Sequence, residues 1–222
     1  KVCILKNQVE WKISNSPILY DFAILEMQNR ILNIKNNSKK ELIWLLEHKS
    51  VYTAGSSAKD QDLLNKSNVE IRYSGRGGQW TWHGPGQRVC YIMLNLRRRL
   101  PDVKAYVNAL EEWIILSLKD FSLEGTRLTN KPGVWIKNKN DSYDKIAALG
   151  VRISSWVSWH GISINVNPDL ESFSNIIPCG ILDGGVTSLH NLDKTISMAQ
   201  LDKSLNKNFF IVFGNESLFK LK

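Results

Sequence analysis

The sequence predicts an α+β fold built as one domain. Residues 17–34 and 103–121 carry apolar side chains at helical spacing, and the stretches between and after them read as short strands bounded by turns. No internal repeat, linker or low-complexity segment divides the 222 residues, so a single domain over 1–222 is expected. A composition of 43% hydrophobic and 23% charged residues is an ordinary globular balance, enough to bury a sizeable core.

Taken in order, "PILYDFAILEMQNRILNI" (17–34) places Ile18, Phe22, Leu25 and Leu32 on one helical stripe, with Pro17 suited to a first helical position. "LIWLL" (42–46) and "VYTAG" (51–55) read as strands around a polar turn carrying His48, and "VEIRYS" (69–74) alternates as a strand does. A glycine loop over 75–87 then joins it to "RVCYIMLNL" (88–96), a continuous apolar run suited to a strand buried on both faces. The second helix, 103–121, carries Val103, Val107, Leu110, Ile114 and Phe121 on one stripe. Strands return at "GVWIK" (133–137) and, after a polar excursion at 138–144, at "KIAALGVRISS" (145–155) and "WVSWHGISINVN" (156–167), which read as antiparallel neighbours. A short helical turn, the loop "SNIIPCGILDGGVTS" (174–188) and a helix from Met198 to Asn208 complete the chain.

Several function classes are excluded or disfavoured by composition. No apolar run approaches the roughly 18 residues of a membrane span, and "KVCILKNQVEWKI" has no apolar core of signal-peptide length. Cys3, Cys90 and Cys179 are odd in number and far apart, which fits neither a disulfide framework nor a Cys-x-x-Cys metal site, so a reducing cytoplasm is expected. The formal net charge of +8 favours an acidic partner, nucleic acid or an acidic carrier protein, or else a solvated lysine-rich surface; the cluster at Arg97, Arg98 and Arg99 is its densest part. No zinc-finger, helix-turn-helix or RNA-binding motif supports nucleic acid.

The chemistry points to two places. "YSGRGGQWTWHGPGQ" (73–87) sets five glycines and a proline beside Trp80 and Trp82, a loop shaped either to surround a ligand or to cap the core with its tryptophans. It matches neither phosphate-binding glycine motif. In "PCG", Cys179 stands between a proline that fixes its approach and a glycine that leaves the sulfur accessible, whereas Cys90 sits in an apolar run and Cys3 at a terminus. A reactive thiolate needs a cation or base beside it, and His83, His160 and Lys145 are the candidates.

"RGGQWTWHGPGQ", "KIAALGVRISSWVSWHGISINVN" and "IIPCGI", in that order, together with "HKSVYTAG" and "KPGVW", resemble the signature blocks of the lipoyl(octanoyl) transferase family from about residue 42 to about 190. The resemblance implies a mixed β-sheet with packed helices, similar to the biotin and lipoate protein ligases. It implies transfer of an octanoyl chain from octanoyl-acyl carrier protein to a lysine of lipoyl domains, those of the 2-oxoacid dehydrogenases and the glycine cleavage H protein, with no cofactor and no metal. Carried over residue by residue, Cys179 is the acyl-accepting cysteine and Lys145 the lysine that lowers its pKa. Substrate binding falls to Arg76, Gly77, Gly78, Gln79, Trp80, Thr81, Trp82 and His83, then to Ala148, Leu149 and Gly150, and to Gly161, Ile162 and Ser163. Trp80, Cys90 and Trp159 stand where the family pattern leads one to expect other apolar or aromatic residues. The same fold also serves ATP-dependent lipoate or biotin ligases, which would not need Cys179 as a nucleophile.

Overall fold

A computed structural model describes residues 9–65, 69–99, 101–177 and 184–214. Its regular elements are β1 (Val9–Ile13), α1 (Tyr20–Lys35), β2 (Glu41–Leu46), β3 (Val51–Ala54), β4 (Glu70–Tyr73), β5 (Trp80–His83), β6 (Gln87–Met93), α2 (Val103–Lys119), β7 (Thr126–Leu128), β8 (Lys131–Lys137), β9 (Tyr143–Ser154), β10 (Val157–Asn165), β11 (Gly185–Val186) and α3 (Met198–Phe213).

The strands form two sheets. The large one runs β1-β2-β6-β10-β9-β8-β7, with β11 added parallel to β9, and the small one runs β4-β3-β5. Both are mixed: β1 pairs parallel with β2 and β3 parallel with β4, while the other main pairings are antiparallel. β6 lies between β2 and β10 and every residue from Gln87 to Met93 is buried, as its unbroken apolar run predicts. β9 and β10 close through Ser155 and Trp156, both at positive φ, the backbone twist that a two-residue hairpin requires.

Helices cover both faces of the large sheet. On one, α2 and α3 pack Leu110, Trp113, Ile114, Leu205 and Phe209 against Ile43, Leu45, Cys90, Ile92, Ile146 and Ile162. Asp102 caps α2 by accepting from the Ala105 N–H, and Ser197 and Gln200 form a capping box at the start of α3. α3 runs on to Phe213, beyond the predicted end at Asn208, because Phe209, Val212 and Phe213 still have core to fill.

On the other face lies α1, with Ala23, Met27, Ile31 and Ile34 against Trp44, Val89, Tyr91 and Trp159. This corrects the expected stripe: Phe22, Leu25 and Leu32 are 50%, 55% and 56% exposed. The helix carries two apolar stripes, and the sheet selects the one whose small Ala23 admits close approach. The helix also begins at Tyr20, leaving Pro17 outside it. Two more expectations change. The glycine loop is interrupted by β5, and His48, although it lies in the connection between β2 and β3 as expected, is fully buried.

Candidate active site

A cleft lies where the small sheet meets the large one. β5 and the loop before it supply Arg76, Gly78, Gln79, Trp80, Thr81 and His83; β9 supplies Ala148, Leu149 and Gly150; β10 supplies His160, Gly161, Ile162 and Ser163. Three stretches distant in sequence thus line one space. The loop docks directly on β9: Gly77 N–H donates to the Val151 carbonyl at 3.0 Å, and a Cβ on Gly150 would stand 2.9 Å from Arg76 Cδ, so the approach needs glycine. Gly78 turns at φ +88. Gly77 and Trp82 do not line the cleft. Trp82 instead packs with Tyr52, Ala54, Phe173 and Ile176 in the small core, whereas Trp80 belongs to both. Sequence reasoning missed Tyr20, Val89 and Tyr91, which also line the cleft; they belong to a helix and a strand whose patterns signal only core.

Arg76 is a brace. Its guanidinium donates to the carbonyls of Thr53 (2.6 Å), Gln79 (2.8 Å) and Gly77 (3.0 Å) and to Thr53 Oγ1, holding the loop against β3. Around it the site is polar but held neutral. Burial lowers His48 to about 4 and His83 and His160 to about 3, so all three are uncharged imidazoles at neutral pH. His48 Nδ1 donates to the Ile18 carbonyl at 2.8 Å, which leaves Nε2 to accept from the Tyr91 hydroxyl at 2.6 Å. His83 Nδ1 lies 2.6 Å from Gln87 Oε1, and Gln87 Nε2 donates to Asn165 Oδ1 at 2.9 Å. His160 sits at φ +57 within β10, its ring stacked 4.5 Å from Trp159.

Lys145 reaches this face through a bulge. Simple alternation would put residues 145 and 148 on opposite sides of β9. Opposite β8, however, Val134 pairs with Ala147 and Trp135 with Lys145, so Ile146 is an extra residue. Ile146 and Ala147 both enter the core under α2, and Lys145 is thereby turned to the face of Ala148 and Gly150. It is 6% exposed, and its Nζ has no hydrogen-bond partner among the described residues.

Cys179, like Cys3, lies outside the described residues. Cys90 is fully buried in the core, and burial pushes its thiol well above the ordinary range, so it is unsuited to nucleophilic chemistry. Among the described residues, no group of three or more His, Cys, Asp or Glu side chains could hold a metal, and no helix is long and apolar enough to cross a membrane.

Known proteins resemble this chain in sequence and in fold. Residues 22–210 match the family described as "Lipoyl protein ligase A/B catalytic domain". The octanoyltransferase of Parvibaculum lavamentivorans is 50% identical over 208 residues, covering 92% of each chain, and that of Bartonella quintana is 48% identical, covering 93% of this chain and 87% of its own. A bi-partite lipoate protein ligase from Thermoplasma acidophilum superposes with a TM-score of 0.68 at 13% identity, covering 93% of this chain and 84% of that one, which shows a shared fold. With the match spanning most of its length, the chain belongs to the lipoyl protein ligase A/B catalytic-domain family.

Proposed function

We propose that this chain, as one catalytic domain acting in the cytoplasm, transfers an octanoyl group from octanoyl-acyl carrier protein to a lysine of lipoyl domains through a thioester on Cys179. The relatives named octanoyltransferase support the acyl transfer. What carries the residue-level reading is that six residues of the stretch 76–83 wall one cleft together with 148–150 and 161–163, with Lys145 turned to the same face by the β9 bulge. Trp80, Val89, Leu149 and Ile162 offer apolar surface to the acyl chain, worth about 0.8 kcal/mol for each buried methylene.

The reaction has two halves. In the first, the Cys179 thiol gives its proton to Lys145 and the thiolate attacks the donor's carbonyl carbon. The new C–S bond forms as the old one breaks, backbone N–H groups steady the oxyanion, and the leaving carrier thiolate takes the proton back from Lys145. In the second, the amine of the lipoyl-domain lysine attacks the acyl-cysteine. Lys145 accepts a proton from the attacking nitrogen, the amide forms and the Cys179 thiolate departs. The three buried histidines stay neutral and orient groups, and none is suited to be the base. The incoming thioester is already activated, so no ATP is required.

Transfer to an apo lipoyl domain is therefore expected from octanoyl-acyl carrier protein without nucleotide, and not from octanoic acid with ATP and magnesium. The reverse pattern would make the chain a ligase.

A further inference from the structure

Lys145 is held in an unusual way. A buried ammonium is ordinarily fixed by a carboxylate, and two stand near it, Asp144 next to it on β9 and Glu111 on α2, which holds the N–H of Gly133, the residue beside the Lys145 side chain. Both are committed elsewhere. Asp144 accepts from Gly185 N–H at 3.0 Å and from Asn138 Nδ2 at 3.2 Å, and Glu111 accepts from Gly133 N–H at 3.2 Å and pairs with Arg127. Beside Lys145 is the indole of Trp135, its partner across the β8–β9 pairing, with Nζ 4.6 Å from the ring centroid. Val134 and Ile136 enter the core under α2, and alternation sends Trp135 to the other face, where it is 1% exposed and its Nε1 donates to the Lys131 carbonyl at 3.1 Å. A cation over a desolvated indole face is stabilised by the ring's quadrupole and gives up no proton to it, unlike a cation shared with a carboxylate.

We propose that Trp135 is a positioning residue for the acyl transfer: its indole face holds the Lys145 ammonium in place, favouring the charge that in turn stabilises the Cys179 thiolate. An aromatic seat favours the ammonium formed when Lys145 takes the Cys179 proton and offers it no anionic partner to compete with the sulfur. This rests on the assignment of Lys145 and Cys179 as the reacting pair, and the test separates the two ideas.

The rate of Cys179 alkylation by iodoacetamide, followed by peptide mass spectrometry across pH, reads the thiolate directly. Trp135→Leu should raise the pH midpoint by roughly half to one unit, Trp135→Phe by clearly less, and Trp135→Leu should add nothing in a Lys145→Met background. If Trp135→Leu does not fold, Trp135→Met makes the same comparison. A structural role alone would lower the melting temperature and leave the midpoint in place. An unmoved midpoint in the folded non-aromatic variants, with Lys145→Met shifting it, overturns the role of Trp135. An unmoved midpoint in Lys145→Met overturns the pair itself.

Discussion

His48, His83 and His160 sit together around the cleft with no charge on any of them, and this has a cost that pH reveals. Each is lowered by burial from 6.5, His48 to about 4 and the other two to about 3. The unfolded chain therefore takes up protons below pH 6.5 that the folded chain refuses, so the stability these groups leave intact above that pH is lost as pH falls toward 4 and then 3. The slope is at most about 1.4 kcal/mol per pH unit for each histidine. Urea unfolding at pH 7.5, 6 and 5 should show a falling midpoint, and His48→Gln should flatten the decline by about a third. A midpoint unchanged between pH 6.5 and 5 would mean that the imidazoles are solvated. Little of this was legible in the sequence: His48 reads there as a turn residue, because its burial depends on Ile18 and Tyr91, partners 30 and 43 residues away.

At the scale of elements, the long helices and the buried strand β6 were readable because their periodicity is local. The burying face of α1 was not, since two stripes satisfy the same period and only the sheet chooses between them. The bulge in β9 was invisible for a related reason: "KIAALG" alternates acceptably on its own, and only the register against β8 exposes the extra residue. The glycine-rich stretch was legible as a shaped loop, but not the β5 strand inside it, whose partner is β3. Gly161 illustrates what the sheet demands of the cleft wall. A Cβ there would collide with the Cys90 carbonyl on β6 and stand 3.1 Å from Ile92, so backbone must move to admit it. Gly161→Ala should cost about 2 kcal/mol by urea denaturation, as overpacking in a rigid site does, and should lower the acylation rate along with it. An unchanged midpoint would show that β6 and β10 can part freely at the cleft.

For the whole molecule, the net charge of +8 hides two kinds of arginine within one cluster. Arg99 is not available for docking: both of its Nη atoms donate to Glu41, at 2.8 and 2.7 Å, and Glu41 is fully buried. Arg97 and Arg98 are exposed, and Arg98 donates to Asn37 Oδ1 at 2.8 Å. Reversing the charge at Arg97 and Arg98 should raise KM for the carrier protein more than for a small octanoyl thioester, and the difference should shrink as salt rises. Equal effects on both donors would leave these arginines as solvated surface. Arg99→Ala should instead destabilise by about 3 kcal/mol, because it strands a buried carboxylate. The central claim concerns one sulfur, and it is tested most directly by mapping the acyl-enzyme. After incubation with octanoyl-acyl carrier protein, peptide mass spectrometry should place a single hydroxylamine-labile octanoyl group on Cys179, retained in Cys3→Ser and Cys90→Ser. An octanoyl group on Cys90, or ordinary turnover by Cys179→Ser, would contradict the account.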